Sequence, residues 1–269
     1  MALNFAEQTK GVIVNADSAQ IYRDIPILSA APTAEDRSRV DHRLYGVQDG
    51  ALPCSAAHWA ELARREIADI HAAGKLPIIV GGTGLYVRTL LDGIAPVPDI
   101  DPAIRQAIRE MPVDEARIRL VALDPQAASR LGPADRTRIA RALEVIMSTG
   151  RTLHEWHRKR SGGIAGAVEL RPLVLLPPRD WLYARCNERF AQMLDRGAAE
   201  EVERLLGRNL NPRLPVMRAI GVPEIGAYLR GDWSREDALA EGQQATRRYA
   251  KRQYTWFAHQ PPEEWPRHR

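Results

Sequence analysis

Phenylalanine is nearly missing from this chain, at 3 in 269 residues, and cysteine is scarcer still, at 2. The first shortage means that the core is built mostly from Leu, Ile, Val and Ala. The second excludes a disulfide scaffold, and Cys54 and Cys186 stand isolated, without the ligand spacing of a zinc site. They read as idle thiols of a cytoplasmic protein. No apolar run approaches the roughly 20 residues that a bilayer-spanning helix needs. No basic stretch followed by an apolar one marks a signal peptide at the N-terminus. No G-x-G-x-x-G follows any strand-like run, which excludes the dinucleotide-binding fingerprint. Internal repeats and low-complexity tracts are also missing. What is present is ordinary for a globular protein, with 45% hydrophobic and 27% charged residues. The net charge of +4 permits a polyanionic partner. Whether one binds depends on how the basic residues cluster.

Short apolar runs without alternation suit strands covered on both faces, as in a parallel sheet. Three occur: Val12-Ile13-Val14, Pro77-Ile78-Ile79-Val80 and Leu173-Val174-Leu175-Leu176. Ahead of the first, Met1 to Lys10 resembles the tail of an amphipathic helix stopped by Gly11. Between the first two, Trp59, Leu62, Ile67 and Ile70 fall at helical spacing, with Ser55 as N-cap and Gly74 as stop. Strand, helix, strand and Gly-rich turn make a βαβ unit, so an α/β core is expected. From Asp101 to about Arg160 the texture is helical and charged, which predicts a helical insert. Helices then follow at 183–194, 198–206, 222–229 and 237–256.

Ligand crevices in open α/β sheets lie outside the C-terminal ends of the strands. Asp17 stands just there after the first strand, where it could accept a proton or cap a short helix at Ser18-Ala19-Gln20. Gly81-Gly82-Thr83-Gly84 follows the second strand, with the form of a phosphate-approaching loop or of a plain tight turn. Arg185 and Arg189 share a helix face, suited to a diphosphate, although Glu188 offers Arg185 a surface ion pair. Between Arg136 and Arg160 there are seven Arg or Lys against two Glu, interleaved with His154, Trp156 and His157. A second basic cluster is Arg247, Arg248, Lys251 and Arg252. Such segments track nucleic-acid backbones or simply form solvated faces.

Taken in order, several blocks resemble the tRNA dimethylallyltransferases, or tRNA isopentenyltransferases. They are Asp17-Ser18-Ala19-Gln20-Ile21-Tyr22, Gly81-Gly82-Thr83-Gly84-Leu85-Tyr86, Arg138-Ile139-Ala140-Arg141-Ala142-Leu143-Glu144-Val145, Tyr183 to Phe190, and Thr246 to Trp256. The resemblance spans nearly the whole chain. It implies an α/β fold with a P-loop kinase-like parallel-sheet core of the nucleotide-binding, ATP-binding kind. Residues 1–100 and 168–269 would form that core, and a helical insertion domain, 101–167, would grip the anticodon stem-loop.

The implied reaction moves a dimethylallyl group from dimethylallyl diphosphate to the N6 amine of the adenosine 3′ of the anticodon. The tRNAs concerned read codons beginning with U. By the same resemblance Asp17 is the general base and Thr83 orients the adenosine. Arg189, supported by Arg185, neutralises the leaving pyrophosphate with Mg²⁺. Contacts to tRNA are implied for Asp17, Ser18, Ala19, Gln20, Thr83, Arg105, Thr137, Arg138, Ile139, Ala140 and Arg141, and for the turn Arg218-Ala219-Ile220-Gly221. The resemblance does not name the residues that would hold the metal, and the expected state is a monomer.

The chain departs from the family at one motif and at two single positions. The family's Gly-Pro-Thr-x-Ser-Gly-Lys-Ser loop, which cradles the diphosphate, occurs nowhere in these 269 residues, and Met1-Ala2-Leu3 aligns with the helix beyond it. The expectation is therefore that the chain as written transfers little dimethylallyl, its true start lying upstream. The alternatives are an inactive tRNA-binding homologue and, at a greater distance, a small-molecule P-loop kinase, which would lack the basic insert. Thr137 and Val222 also stand where the family usually has Gln and an aromatic residue.

Overall fold

A computed structural model describes residues 1–269 and divides them into two compact units, Met1–Leu90 with Ala167–Arg269, and Leu91–Gly166.

The first unit begins with α1 (Ala2–Thr9) and β1 (Val12–Asn15), followed by α2 (Ala34–Arg39) and β2 (His42–Arg43). Next come α3 (Ala56–Ala72), β3 (Pro77–Val80) and α4 (Gly84–Asp92). The strands form a parallel sheet of order β2-β1-β3, with Ile13 opposite His42 and Ile78. All four residues of β1 are buried, as a central strand demands. β3 pairs only with β1, and its residues are half-buried rather than covered on both faces. α1 ends at Lys10, which takes the left-handed conformation at φ 52° and donates its N–H to the Ala6 carbonyl. The expected stop, Gly11, instead allows close packing against the sheet, since a Cβ there would lie 2.6 Å from Ile78 Cδ1.

α3 starts as its sequence predicts. Ser55 accepts a hydrogen bond from His58 N–H at 3.1 Å, and Trp59, Ala60, Ala63, Ile67 and Ile70 form the buried face. Trp59 is wholly buried, donates its indole N–H to the Asn15 carbonyl at 2.9 Å and stacks on Tyr86 with ring centroids 4.7 Å apart. That contact joins α3 and α4 to the end of β1.

The second unit holds α5 (Pro102–Glu110), α6 (Val113–Leu123), α7 (Pro125–Arg130), α8 (Arg136–Thr149) and α9 (Leu153–His157). Side-chain caps begin most of these helices: Asp101, Asp124, Asp135 and Thr152 each accept a hydrogen bond from the first turn that follows. Ile108, Leu120, Ile139 and Leu143 are its buried centre. Its border falls at Leu91, ten residues before the expected 101, because two backbone segments close on each other there. Ile94 and Ser161 bridge antiparallel, and Ala165 N–H reaches the Leu91 carbonyl at 3.2 Å. Gly93 and Gly163 permit that approach, since a Cβ on either would sit within 2.3 Å of a backbone carbonyl oxygen across the neck.

The chain re-enters the first unit through β4 (Val174–Leu175). Then follow α10 (Arg179–Asp195), α11 (Ala198–Gly207), α12 (Val222–Leu229), α13 (Arg235–His259) and β5 (Arg267–His268). The expected third strand of the main sheet is corrected here. Only Val174 and Leu175 form a strand, and it pairs in parallel with β5 in a separate ribbon. Pro172, Pro177 and Pro178 flank it and lack the N–H groups a longer ladder needs. α10 packs on α13, with the Phe190 ring laid against Gly242, where a Cβ would lie 2.0 Å from the ring.

α11 is tied to the loop after β1 by one buried carboxylate. Glu201, 1% exposed, accepts from Ile27 N–H at 2.8 Å and Leu28 N–H at 2.9 Å. Burial raises its pKa, against the two backbone hydrogen bonds. Glu201→Ala is expected to destabilise the fold by about 2–3 kcal/mol, because two backbone donors lose their acceptor. Glu201→Gln keeps one acceptor but sets an amide NH2 against the other backbone donor, so it is expected to cost about half that or more. Urea midpoints at unchanged m-value measure both.

Candidate active site

The turn after β1 is built by Asn15. Its fully buried amide donates to the carbonyls of Asp17 and Leu44, each at 3.0 Å, and its Oδ1 accepts from Asp17 N–H at 2.7 Å. Asp17 is thereby fixed at the sheet's C-terminal edge. Its Oδ1 accepts from Ala19 N–H at 2.8 Å, so it does cap the following residues, but these form a turn and not a helix. Burial pushes the Asp17 carboxyl above the usual range, opposed by the Ala19 and Gln20 amides and by Arg189. The negative charge of Asp17 is felt nearby: Tyr45 is pushed up to about 12, first by burial and then by Asp17.

Asp17 lines a cavity of about 320 Å³. Val80, Gly81 and Gly82 form one side of it, and Thr246, Tyr249, Ala250 and Gln253 of α13 form another. Arg189 of α10 stands exposed at the margin, with Gln20 and Ser29 completing the lining. Carboxylate, guanidinium and glycine backbone thus meet around one space, outside the C-terminal ends of β1 and β3. Gly81 and Gly82 are required by close approach. Cβ atoms there would lie 2.2 Å from the Ala16 carbonyl carbon and 2.1 Å from Gln253 Nε2, respectively.

The remaining sequence-predicted residues fall in several places. Thr83 stands behind the lining. Its Oγ1 accepts from Ser18 N–H at 2.9 Å, donates to Ser18 Oγ at 3.2 Å and is bonded by the Tyr249 hydroxyl. Gln20 directs its amide N–H groups to the Ser29 and Ala30 carbonyls at 3.0 and 2.9 Å, which fixes the cavity wall. Arg185 is not in the cavity lining. It pairs with Glu188 at 2.9 Å and lies 6.0 Å over the Trp181 ring, the surface ion pair its neighbour offered. Arg218 is exposed at the end of a short 3-10 turn, and Gly221, at φ +98°, starts α12. A Cβ on Gly221 would lie 2.5 Å from Leu28 Cδ2, so that glycine also serves the packing.

In the second unit, Thr137 and Arg138 are exposed and Arg141 is half-buried. Arg105 is also exposed, 4.0 Å from Glu144. Ile139, expected among the tRNA contacts, has no exposed surface and belongs to the unit's core, so its side chain is corrected to a packing role. Farther along, Arg151 lies over the Trp156 ring at 5.6 Å, and both line a hollow of about 440 Å³ with Arg158 and Lys159.

Sequence reasoning assigned no role to Tyr249, Gln253, Thr246 or Ser29. The first three carried a signal: positions 246, 249, 250 and 253 recur at the spacing of one helix face. Tyr249 is hydrogen-bonded to Thr83, Ser18 and Gln253 and packed under the Arg252 guanidinium at 5.5 Å. Gln253 donates to the Gly82 carbonyl at 3.0 Å. α13 is thus tied directly to the glycine turn.

No group of three or more His, Cys, Asp or Glu in the chain is placed to hold a metal ion. Around the cavity Asp17 is the one carboxylate. These residues do not build a metal cage. A hard cation would have to take most of its oxygen ligands from a diphosphate and water, which is the ordinary habit of Mg²⁺.

A parallel α/β core of the P-loop-like kind carries a carboxylate, a glycine turn and an arginine around one space, an arrangement suited to an anionic ligand. The IPP transferase family matches residues 20–260. A tRNA dimethylallyltransferase of Sphingopyxis alaskensis is 62% identical over 258 residues, 96% of this chain and 84% of that one. One of Erythrobacter litoralis is 61% identical over 95% of this chain and 81% of its own. Among solved structures, the full-length tRNA isopentenylpyrophosphate transferase of Bacillus halodurans superposes with a TM-score of 0.70 at 32% identity, covering 99% of this chain and 84% of that one. A eukaryotic dimethylallyltransferase acting on tRNA gives 0.79 at 27% identity, over 95% of this chain and 65% of that one. This chain belongs to the IPP transferase family.

Proposed function

We propose that this chain transfers a dimethylallyl group from dimethylallyl diphosphate to the exocyclic N6 amine of the adenosine 3′-adjacent to the anticodon. The substrates are tRNAs reading codons that begin with U. The observation that carries this is the pairing, around one cavity, of a fixed carboxylate of raised pKa, Asp17, with the guanidinium of Arg189.

An aromatic amine is a weak nucleophile at neutral pH. As its nitrogen attacks the allylic carbon, the carbon–oxygen bond to diphosphate breaks, and the amine's proton passes to Asp17. A carboxylate whose pKa is raised by burial is a better proton acceptor than one in water. The leaving diphosphate gathers negative charge, which Arg189 is placed to offset. A divalent cation, Mg²⁺ by this reading, would accompany the diphosphate and share that neutralisation. Thr83, Ser18 and Tyr249 hold the amine-facing turn in shape through their shared hydroxyl bonds. The flipped adenosine requires an unstacked loop, which anticodon loops supply at low energetic cost.

Arg105, Thr137, Arg138 and Arg141, with the exposed Arg218, are read as contacts to tRNA. Ala19, Ala140, Ala219, Ile220 and Gly221 would act there through backbone groups. No helix is long and apolar enough to cross a membrane. A monomer in the cytoplasm is the state this reading assigns.

The test is transfer of labelled dimethylallyl from its diphosphate to an anticodon stem-loop. It is run on the 269-residue chain and on the chain extended by its in-frame upstream codons. Label in the adenosine of the stem-loop from either form supports the proposal. Stem-loop binding without transfer in both forms replaces the enzyme with an RNA-binding protein.

A further inference from the structure

One carboxylate in the helical unit is buried against three guanidinium groups. Glu144, on α8, is 3% exposed. Its Oε1 accepts from Arg109 Nε at 3.0 Å, and its Oε2 faces Arg141 Nη1 at 3.7 Å and Arg105 Nε at 4.0 Å. The arginines come from two helices. Arg105 and Arg109 are one turn apart on α5, and Arg141 is one turn before Glu144 on α8. Beneath them Ile108, Ile139 and Leu143 pack α5 on α8, so the positions of both helices are fixed by an apolar contact. The arginine side chains themselves stay 44%, 65% and 42% exposed. A fourth arginine, Arg136, reinforces the corner by donating Nη2 to the Arg109 carbonyl at 2.6 Å.

The charge balance is lopsided. Three guanidinium groups share one carboxylate, which leaves the cluster with a local excess of two positive charges. Each guanidinium carries five N–H donors in a fixed fork, so one carboxylate cannot use most of them, and the side chains stay partly exposed. A lone exposed arginine loses side-chain entropy when it grips a phosphate. Arg109, hydrogen-bonded to the buried carboxylate, loses less, and Arg105 and Arg141 are drawn to the same charge at ion-pair distance before the ligand arrives.

We propose that Glu144 is a positioning residue, which holds Arg105, Arg109 and Arg141 as one preformed array for phosphates of folded RNA. Arg109 is thereby a contact to the backbone in its own right. The inference rests on the tRNA substrate of the preceding subsection and names the surface of the helical unit that meets its phosphates.

The signs of the expected effects separate positioning from bulk charge. Glu144→Gln makes the protein more positive, so a purely electrostatic account expects tighter RNA binding. Positioning expects the opposite. The experiment is binding of an anticodon stem-loop RNA to the full chain across a salt series, with Tm recorded for each variant. For Glu144→Gln the expected result is five- to tenfold weaker binding, on the order of a bidentate contact's worth of affinity. Arg109→Gln is expected to weaken binding similarly and to lower the salt slope by about one. In the double variant the two losses do not add, since Arg109 contributes less once its anchor is gone.

Unchanged or tighter binding by Glu144→Gln, with only a lower Tm, would assign Glu144 to fold stability alone and overturn the proposal. Should Glu144→Gln fail to fold, the exposed Arg109→Gln still decides, because an unchanged affinity and salt slope there also overturn it. A parent protein that binds no stem-loop at all refutes the tRNA reading itself. A parent that binds while both variants match it refutes only this inference.

Discussion

In whichever form of the protein transfers label, replacing Asp17 by Asn is expected to lower the rate of dimethylallyl transfer by about 10²- to 10⁴-fold, the usual contribution of a positioned general base. Binding of the stem-loop should change only a few-fold. The geometry argues for a large effect because no second carboxylate lines the cavity. An Asn amide fits the same turn and can still accept the Ala19 N–H, but it cannot take the amine's proton.

The same substitution is expected to raise thermal stability at neutral pH. Burial, the largest influence on Asp17, raises its pKa above the unfolded value, and the Ala19 and Gln20 amides and Arg189 only partly offset this. For a carboxyl raised in this way, the favourable contribution is complete below the unfolded pKa. It is lost as pH climbs through the folded value. The gain in Tm from Asp17→Asn should therefore be largest at neutral pH and vanish in acid, where the native carboxyl is neutral in both states. About 1 kcal/mol would move Tm by roughly 2–4 °C in a protein of this size. The transfer rate of the parent should fall on its acid side along the same raised pKa. A rate for Asp17→Asn within threefold of the parent would remove Asp17 from the chemistry. A lower Tm would mean that the ionised carboxylate stabilises the turn.

Much of this site could be read from residue order, because strand ends and helix faces are local properties. β1 and β3 are short β-branched runs, each followed by the residues that meet at the cavity, and α3 carries its own cap and apolar stripe. Residue order therefore placed Asp17 and Gly81 at strand ends, whereas only the family resemblance joined Arg189 to them. β2, β4 and β5 have two residues each, and their partners lie far away in the chain. No local pattern marks such strands. The third apolar run looked like a member of the main sheet because periodicity reports burial and cannot report a partner. Ile139 was read as an RNA contact because it stands between Arg138 and Arg141, although the helical period turns it inward with Leu143. Arg185 had two readings, and in this structure its guanidinium is paired with the Glu188 carboxylate. Glu144 was hidden for a related reason. One Glu within a basic segment looks like a solvated charge until α5 is brought over it.

The two consecutive glycines make the sharpest structural test, because their neighbours differ in kind. At Gly81 an added Cβ meets the backbone of Ala16, 2.2 Å from its carbonyl carbon and 2.3 Å from its oxygen. That backbone is held on both sides: Ala16 N–H donates to the Val80 carbonyl at 2.7 Å, and the Ala16 carbonyl accepts from Thr83 N–H at 3.1 Å. Relief requires β1 and β3 to part next to Asp17. Gly81→Ala is thus expected to destabilise the fold by about 3 kcal/mol or more, the upper range for overpacking, and to abolish transfer in whatever protein remains soluble. At Gly82 the obstacle is the end of the Gln253 side chain, with Nε2 2.1 Å from the added Cβ. Gln253 can swing away, losing its bond to the Gly82 carbonyl, at a stability cost of about 1 kcal/mol. Because Gln253 lines the cavity, the cost of Gly82→Ala should fall instead on the donor site, as a raised KM for dimethylallyl diphosphate. Truncating the obstacle then provides the check. Gln253→Ala combined with Gly82→Ala should lose less than the sum of the single variants, since one change removes the clash that the other creates. Full additivity, or equal urea midpoints for the Gly81 and Gly82 variants, would mean that the turn yields as a whole and that the backbone contact at Ala16 does not hold it.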